Sequence, residues 1–490
     1  MRKARGELLP RAVTSVILGA LALSLVVPAA HALPRTEDSV TPELASFYNQ
    51  SPLWQPCQGD SCTRISVPMD YSKPTGETIS IAVRVIGSRD LPSLILNPGG
   101  PGSGGADFAR YIAGSLSTSV RSNFSIVGFD PRGTGDSFPI ECLTGSQANT
   151  WLRTDATPDT QAEIRRLMSR AAKISRGCSD FSATLASHIG TEETVKDVDL
   201  IRGVLNNDRL NWLGFSYGTA IGARYAELFP DKVGRMVLDG AINPALNAME
   251  VSRDQSSGFS RAIKRFNARY PGSIADINGL LKRLDYQPLT TAGKQSLVQS
   301  EGLTAIFYSM YSPDLWPDLH RAIDAAQRGE GTPMQNIAYA ANDQVSPTRF
   351  LSNSLSAFYA INCWDAPATP GAQGLQKAAR RWSQGVSIPE MGRAMSWGNA
   401  PCSAWFGHSS ISPKAAYSAT TSPIMIIGTT YDPATPMKWA RALHRQLPTS
   451  SLLTYVGDGH TAYLRGNPCV DSAVDTYLLT GITSGNQTCQ

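Results

Sequence analysis

The sequence has few charged residues, and neither sign dominates. Charged residues make up 17% of the 490 residues, with 44 Lys+Arg against 40 Asp+Glu. A chain without a strong basic excess lacks the field that recruits nucleic acid, so no nucleic-acid partner is expected. The sequence also lacks a C-x-x-C pair, and no G-K-[ST] follows its glycine-rich loop. These absences argue against a zinc ribbon, a redox motif and a phosphate-binding loop.

Long apolar runs are also scarce, and the one that stands out lies at the N-terminus. Four basic residues precede an apolar run over residues 12–27, and a small-residue site, Ala30-His31-Ala32, follows it. This order predicts that residues 1–32 are a secretory signal peptide and that the mature protein is extracellular, without stable membrane insertion. A membrane anchor is the alternative, but the run is short for a spanning helix. Without this segment the net charge is close to +1.

The chain contains eight cysteines, and all of them lie after the predicted signal peptide. An even number of cysteines in an exported protein indicates disulfide bonds rather than metal ligands. We expect bridges between sequence neighbours: Cys57–Cys62, Cys142–Cys178, Cys363–Cys402 and Cys469–Cys489.

Strand and helix signals alternate at both ends of the mature chain and not in its middle. Short apolar runs that end in Gly/Pro-containing loops are typical of buried parallel strands, and helical periodicity separates several of them. Between residues 243 and 420 helical patterns dominate. We therefore predict an α/β fold with a mostly parallel central sheet, helices on both faces and a largely helical cap insertion. The expected divisions are a first core part (33–242), the cap (243–420) and a second core part (421–490).

One pentapeptide carries a nucleophile motif, Gly214-Phe215-Ser216-Tyr217-Gly218. It fits G-x-S-x-G and lies between a predicted strand and a predicted helix. The turn at such a junction is tight and strained, so small flanking residues are needed, and the serine hydroxyl is raised above the sheet edge. In that context Ser216 is the expected nucleophile, and an ordinary turn is the alternative.

A serine nucleophile needs a base, and the base needs an orienting carboxylate. In α/β-hydrolases the chain order is Ser, then Asp or Glu, then His. Asp432 and His460 each follow a late apolar run, so both are expected at the same sheet edge as Ser216. Asp458 is a rival acid, but a position two residues before His460 is poorly placed to reach the imidazole.

The oxyanion of an acyl-transfer intermediate needs backbone donors. One is the N–H of Tyr217, the residue after the nucleophile, and the other should come from the glycine-rich loop at residues 97–105. We assign Gly100 to that role, with Gly99 as the near alternative, and a flexible turn as the plain interpretation of the loop. Hydrolysis by such a site requires no metal and no organic cofactor.

Together, these motifs resemble those of the secreted tripeptidyl aminopeptidases of actinobacteria, in the proline iminopeptidase branch of the α/β-hydrolases. The motifs are Asn97-Pro98-Gly99-Gly100-Pro101-Gly102, Gly128-Phe129-Asp130-Pro131-Arg132-Gly133-Thr134-Gly135, the pentapeptide around Ser216, Asp432-Pro433-Ala434-Thr435-Pro436 and Gly459-His460. The resemblance implies a serine exopeptidase that releases short peptides, often tripeptides, from the free N-termini of peptides or proteins. It implies the same triad of Ser216, Asp432 and His460. Pro98 stands where single-residue iminopeptidases have His, which weakens the expectation of strict iminopeptidase activity.

An N-terminal exopeptidase needs a carboxylate at a fixed distance from the nucleophile to bind the substrate ammonium. Asp365, Glu250 and Asp254 are the candidates, and each could instead be an ordinary surface charge. Two other functions stay open. An esterase or lipase could use the same triad, and a secreted binding protein could retain the scaffold without activity, although the intact triad argues against the latter.

Overall fold

A ten-stranded sheet organises the described part of the protein. The computed structural model describes residues 42–293, 295–367, 369–409 and 412–490. The predicted signal peptide, residues 1–32, lies outside the described residues. In the described ranges, no helix is both long enough and apolar enough to cross a bilayer.

Twelve strands and seventeen α-helices occur among the described residues. The strands are β1 (Gln55–Cys57), β2 (Asp60–Pro68), β3 (Thr78–Ile86), β4 (Ser93–Asn97), β5 (Ser125–Phe129), β6 (Leu210–Phe215), β7 (Val233–Asp239), β8 (Gln344–Ser346), β9 (Arg349–Phe350), β10 (Ile424–Tyr431), β11 (Ser450–Asp458) and β12 (Gln487–Cys489). The helices are α1 (Pro42–Tyr48), α2 (Ala106–Ala113), α3 (Thr118–Asn123), α4 (Gly145–Leu152), α5 (Gln161–Ala186), α6 (Thr191–Val204), α7 (Tyr217–Leu228), α8 (Ala248–Arg269), α9 (Ser273–Tyr286), α10 (Gln299–Ser309), α11 (Trp316–Gln327), α12 (Thr332–Ala341), α13 (Ser354–Trp364), α14 (Ala372–Trp382), α15 (Pro389–Trp397), α16 (Met437–Gln446) and α17 (Pro468–Thr480).

The sheet order explains where a site can form. The order is β1-β2-β3-β5-β4-β6-β7-β10-β11-β12. The last seven strands in this order are parallel to one another, and β1, β2 and β3 pair antiparallel at one edge. The chain goes from β4 to β5 on one side, then returns to place β6 on the other side of β4. At such a reversal the loops that leave neighbouring strands diverge and open a crevice at the carboxyl ends. The loops after β4 and β6 therefore border the same crevice.

Helices cover both faces of the central strands, as the sequence predicts. Every residue of β4 is buried, and successive side chains point to opposite faces. Leu94 and Leu96 pack in one apolar cluster with α3 and α17, and Ile95 packs in the other with α6 and α7. The two clusters fix the sheet between its helical layers, so the loops at its edge rest on a rigid base.

The segment predicted as a helical cap contains helices α8 to α15 and one short hairpin, β8–β9. Its helices share an apolar core of their own, which includes Phe266, Leu281 and Ile306. A second helical segment, α4 and α5, lies between β5 and α6, and the sequence analysis assigned no structure to it. Ile164 and Leu167 of α5 pack against the cap helices, so this segment extends the cap.

Four disulfide bonds confirm the expected pairing of sequence neighbours. They join Cys57–Cys62, Cys142–Cys178, Cys363–Cys402 and Cys469–Cys489. The bond Cys363–Cys402 fixes the end of α13, the helix that leads to Asp365.

Candidate active site

The backbone at Ser216 is strained because the chain turns abruptly from β6 into α7. Ser216 has φ 53° and ψ −117°, a region that residues with a side chain rarely adopt. A Cβ atom at Gly214 would lie 2.4 Å from the carbonyl oxygen of Gly218, and one at Gly218 would lie 2.9 Å from that of Asn97. The two glycines of the motif are therefore required by a close contact within the turn and by another with the end of β4. The Ser216 N–H donates to the carbonyl oxygen of Asp239 (2.9 Å), which holds the turn on β7.

Asp432 and His460 are in direct contact at the ends of β10 and β11. The Nδ1 atom of His460 lies 2.8 Å from Oδ2 and 3.0 Å from Oδ1 of Asp432. Asp432 is fully buried and accepts further hydrogen bonds from the N–H groups of Ala434 and Thr435 and from Thr435 Oγ1, each at 2.8 Å. These donors fix the carboxylate, and the carboxylate in turn keeps a proton on Nδ1 of the histidine.

The second ring nitrogen of His460 is not engaged by Asp432. Its Nε2 atom is buried and has no hydrogen-bond partner in the described ranges. Ser216 and His460 line one common cavity. The cap supports this loop directly, because the carbonyl oxygen of Tyr311 accepts the His460 N–H (2.8 Å) and the Tyr311 ring meets the imidazole edge-on.

The loop after β4 lies against the nucleophile turn. A Cβ atom at Gly99 would lie 2.6 Å from the carbonyl oxygen of Phe215 and 2.9 Å from Cβ of Ser216, so only glycine fits there. The N–H of Gly99 donates to Oδ1 of Asn97 (3.0 Å). Gly100, by contrast, lines the cavity that contains Ser216 and Tyr217. The sequence left Gly99 and Gly100 as alternative oxyanion donors. The N–H of Gly99 is engaged by Asn97, and the N–H of Gly100 does not share that hydrogen bond.

A cavity of about 480 Å³ lies between Ser216 and the cap. We call it the cap cavity. Its walls combine the nucleophile turn with aromatic side chains of the cap, including Phe259, Phe307 and Tyr359. A larger cavity of about 690 Å³ lies at the opposite edge of the sheet, around the start of β6, and none of the predicted site residues lines it. The larger cavity is therefore not the candidate active site, and the cap cavity is.

Asp365 lies on the wall of the cap cavity and is linked to the nucleophile turn through two side chains. Its Oδ2 atom accepts hydrogen bonds from the N–H (3.0 Å) and the hydroxyl (2.6 Å) of Thr191. The Thr191 hydroxyl in turn lies 2.6 Å from the hydroxyl of Tyr217. Since Thr191 donates to Asp365, Tyr217 donates to Thr191. The Tyr217 side chain thus spans the distance from Ser216 to the acidic group.

The Asp365 carboxyl group has no counter-ion among the described residues. Enclosure by the protein, with repulsion from Glu193 and Glu192, raises the pKa of Asp365 to about 7, although the hydrogen bonds from Thr191 oppose this shift. A Cβ atom at Gly190 would touch both Asp365 (2.9 Å) and Glu193 (2.8 Å), so two carboxylates approach the same point. This end of the cap cavity is therefore suited to a cation.

Asp365 lies at the site, but the other two acidic candidates form hydrogen bonds or ion pairs elsewhere. Glu250 accepts the N–H of Asn247 (3.0 Å) and caps the start of α8. Asp254 is buried and pairs with Lys438 (2.6 Å) and with Nε1 of Trp439 (2.9 Å). Neither of them lines the cap cavity. The rival acid Asp458 forms a two-bond ion pair with Arg265 (2.8 and 2.9 Å).

One buried carboxylate near the site was missed by the sequence analysis. Asp239, at the end of β7, accepts the N–H groups of Ala462 (3.0 Å) and Tyr463 (2.8 Å) and so holds the loop that carries His460. Burial raises the pKa of Asp239 to about 6. Its position at the end of a core strand could have identified Asp239 as a candidate from the sequence. In the described ranges, no group of three or more His, Cys, Asp or Glu side chains could hold a metal ion.

The fold and the site define an α/β-hydrolase, and comparison with known proteins agrees. Residues 92–272 match the family described as alpha/beta hydrolase fold, and residues 388–489 match the family described as TAP-like protein. The serine protease Hip1 of Mycobacterium tuberculosis is 31% identical over 88% of this chain and 89% of that protein. The tripeptidyl aminopeptidase of Streptomyces lividans is 30% identical over 88% and 84%.

A third relative carries a different name. Carboxylesterase B of Mycobacterium tuberculosis is 32% identical over 86% of this chain and 84% of that protein. Identities of this size over most of both chains show a common family. The chain belongs to the TAP-like branch of the α/β-hydrolases, and it is a serine hydrolase.

Proposed function

We propose that the protein is a secreted serine exopeptidase that binds the free N-terminus of a peptide and releases a short peptide, a tripeptide in the main case. The observation that carries this proposal is the position of Asp365, an acidic group without a counter-ion at one end of a cavity that begins at Ser216. An esterase of lipids or small esters needs no such group.

The proposed reaction passes through an acyl-enzyme. His460 Nε2 takes the proton of the Ser216 hydroxyl as its oxygen attacks the scissile carbonyl carbon, and Asp432 stabilises the imidazolium. The N–H groups of Gly100 and Tyr217 hold the oxyanion. The C–N bond then breaks as His460 returns the proton to the leaving amine. Water, activated by the same histidine, hydrolyses the ester and frees the short peptide.

The cap cavity supports a tripeptide as the proposed product. A tripeptide in extended form spans roughly 10 Å. The bonded path from the Ser216 backbone to Asp365, through the Tyr217 side chain and two hydrogen bonds of 2.6 Å, sets an upper limit of similar size on their separation. A substrate whose ammonium pairs with Asp365 and whose third carbonyl meets Ser216 is compatible with that limit.

The extracellular location is part of the same proposal. Its supports are the signal-like sequence over residues 1–32 and the four disulfide bonds, which persist in oxidising compartments. Carboxylesterase B as a relative keeps an esterase as the second candidate function. A proline iminopeptidase-like activity would release single residues instead.

Product analysis separates these functions. Peptides of four to eight residues, each with a free or an acetylated N-terminus, are incubated with the enzyme, and products are identified by mass. Tripeptides from the free peptides, with little product from the acetylated ones, are the expected result. Single residues would indicate an iminopeptidase, and equal cleavage of both sets would refute an exopeptidase. A nitrophenyl ester measured in parallel reports esterase activity.

A further inference from the structure

Ser216 borders a second cavity besides the cap cavity. This cavity has a volume of about 230 Å³ and is lined by residues within 98–115, 215–216 and 460–465. We call it the core-side cavity. All of its lining residues belong to segments before α8 or after β10, so the cap helices α8 to α15 do not close it. Ser216 therefore borders two cavities, one closed by cap helices and one formed by core segments.

The two cavities divide the catalytic groups between them. Gly100 and Tyr217, which face the oxyanion, line the cap cavity, and His460 lines the core-side cavity. The leaving nitrogen must accept its proton from His460, so it has to lie within hydrogen-bond reach of that ring. The part of the substrate after the scissile bond therefore emerges on the side of the core-side cavity. The part before the bond stays with Asp365 in the cap cavity.

The walls of the core-side cavity combine apolar and aromatic side chains with polar ones, among them Ser115 and Thr461. Phe108 and Tyr111 come from α2, with the Phe108 ring edge-on to Phe215 at 5.7 Å between centroids. Tyr111 is 78% exposed, although it has a large aromatic ring. Leu464 lies on the wall formed by the His460 loop, and Pro98 lies on the wall formed by the loop after β4. An exposed aromatic surface beside a nucleophile is a ready contact for an apolar side chain.

A cationic side chain also lines the core-side cavity. Arg465 is exposed and donates to the carbonyl oxygen of His460 (3.3 Å). A guanidinium has five N–H donors in a planar fork, so donors remain for a further oxygen. A carbonyl or a carboxylate that follows the leaving nitrogen would supply that oxygen.

We propose that the core-side cavity binds the residue that directly follows the scissile bond, that it prefers an apolar or aromatic side chain, and that Arg465 donates to the carbonyl or carboxylate oxygen of that residue. The inference rests on the proposed peptidase function and adds a specificity to it. It also gives a role to Pro98, since proline contributes an apolar surface where a histidine would contribute a polar one.

The test uses tetrapeptide amides Ala-Ala-Ala-Xaa-NH2, with Phe, Leu, Gly or Asp as Xaa, and reads kcat/KM, which reports the steps up to acylation. We expect Phe and Leu to exceed Gly and Asp by about tenfold, the usual value of an apolar side chain in a pocket. Tyr111→Ala should reduce that preference several-fold. Tyr286→Ala is the matched control, because Tyr286 is 74% exposed and lies on α9 in the cap.

A second pair of substrates tests Arg465. The free acid Ala-Ala-Ala-Phe and its amide separate a carboxylate from a carbonyl, and Arg465→Gln should slow the acid more than the amide. Equal kcat/KM for all four Xaa residues, or a preference that Tyr111→Ala leaves unchanged, would overturn the proposal. Product masses identify the cleaved bond independently. Failure to release a tripeptide would thus contradict the proposed function, and the preference would then be measured with peptides in which Xaa directly follows the bond that is cleaved.

Discussion

Asp239 offers a prediction whose size follows from the structure. The carboxylate is fully buried at the end of β7, and burial raises its pKa from 3.8 to about 6. One pKa unit corresponds to about 1.4 kcal/mol, so ionisation of Asp239 in the folded protein is disfavoured by roughly 3 kcal/mol. The folded state holds this proton over a pH range in which the unfolded chain has lost it. Its stabilising contribution is therefore complete below about pH 4 and is lost as the pH rises through about 6.

The substitution Asp239→Asn removes this titration and keeps the shape. The asparagine oxygen can still accept the N–H groups of Ala462 and Tyr463, which the Oδ2 atom accepts at 3.0 and 2.8 Å. Its amide nitrogen takes the place of Oδ1, 3.1 Å from the Ala462 nitrogen, where two donors face each other. That conflict costs about 1–3 kcal/mol at every pH. We expect the variant to be the less stable protein near pH 4 and to close the gap as the pH rises.

Chemical denaturation at a series of pH values, with the disulfides intact, measures this difference. The free energy of unfolding of the variant, relative to the native protein, should rise by roughly 3 kcal/mol between about pH 4 and about pH 7.5. Asp231→Asn, at an exposed position just before β7, controls for the removal of one charge. Parallel stability curves for the native protein and Asp239→Asn would show, against this prediction, that the pKa of Asp239 is the same in the folded and unfolded states.

Three further predictions concern the nucleophile and the loops that support the site. Ser216→Ala should abolish labelling by a fluorophosphonate and lower kcat by about 10⁴-fold or more, and retained turnover would show that another group is the nucleophile. Gly99→Ala should lower kcat by about 10²-fold with a small change in Tm. The new Cβ atom would displace the loop after β4 from Phe215 and Ser216, and with it the proposed oxyanion donor. An unchanged kcat would place the oxyanion donors elsewhere. Thr435→Val removes the 2.8 Å hydrogen bond to Asp432 and should lower kcat about tenfold or more, while Thr435→Ser restores most of it; equal rates in both variants would contradict a role for the hydroxyl.

The elements around the nucleophile were accessible from the sequence because they depend on local rules. The strand predicted before Ser216 is β6, and the helix predicted after it is α7. Loops after parallel strands must meet at one sheet edge, so the proximity of Asp432 and His460 followed from strand order. The disulfide pairing agreed as well, since each bridge joins cysteines close in sequence.

Long-range packing was not accessible in the same way. The contact of Tyr311 with His460 depends on how the cap docks on the core, which no local pattern encodes. The same holds for Asp254, because its partner Lys438 comes from α16. Glu250 is different: it caps its own helix with Asn247, and the N-x-x-E spacing of these two residues could have been recognised in the sequence.

The central claim is that Asp365 binds the substrate ammonium, and one ratio tests it directly. The kcat/KM for Ala-Ala-Ala-nitroanilide is divided by that for its N-acetylated form, in the native enzyme and in Asp365→Asn. Glu250→Gln, whose carboxylate caps α8, is the control and should keep the native ratio. We predict a strong preference for the free amine that falls about thirtyfold or more in Asp365→Asn, because loss of one partner of a buried charge pair costs about 2 kcal/mol or more. Equal rates on both substrates, or a ratio unchanged in Asp365→Asn, would contradict the account.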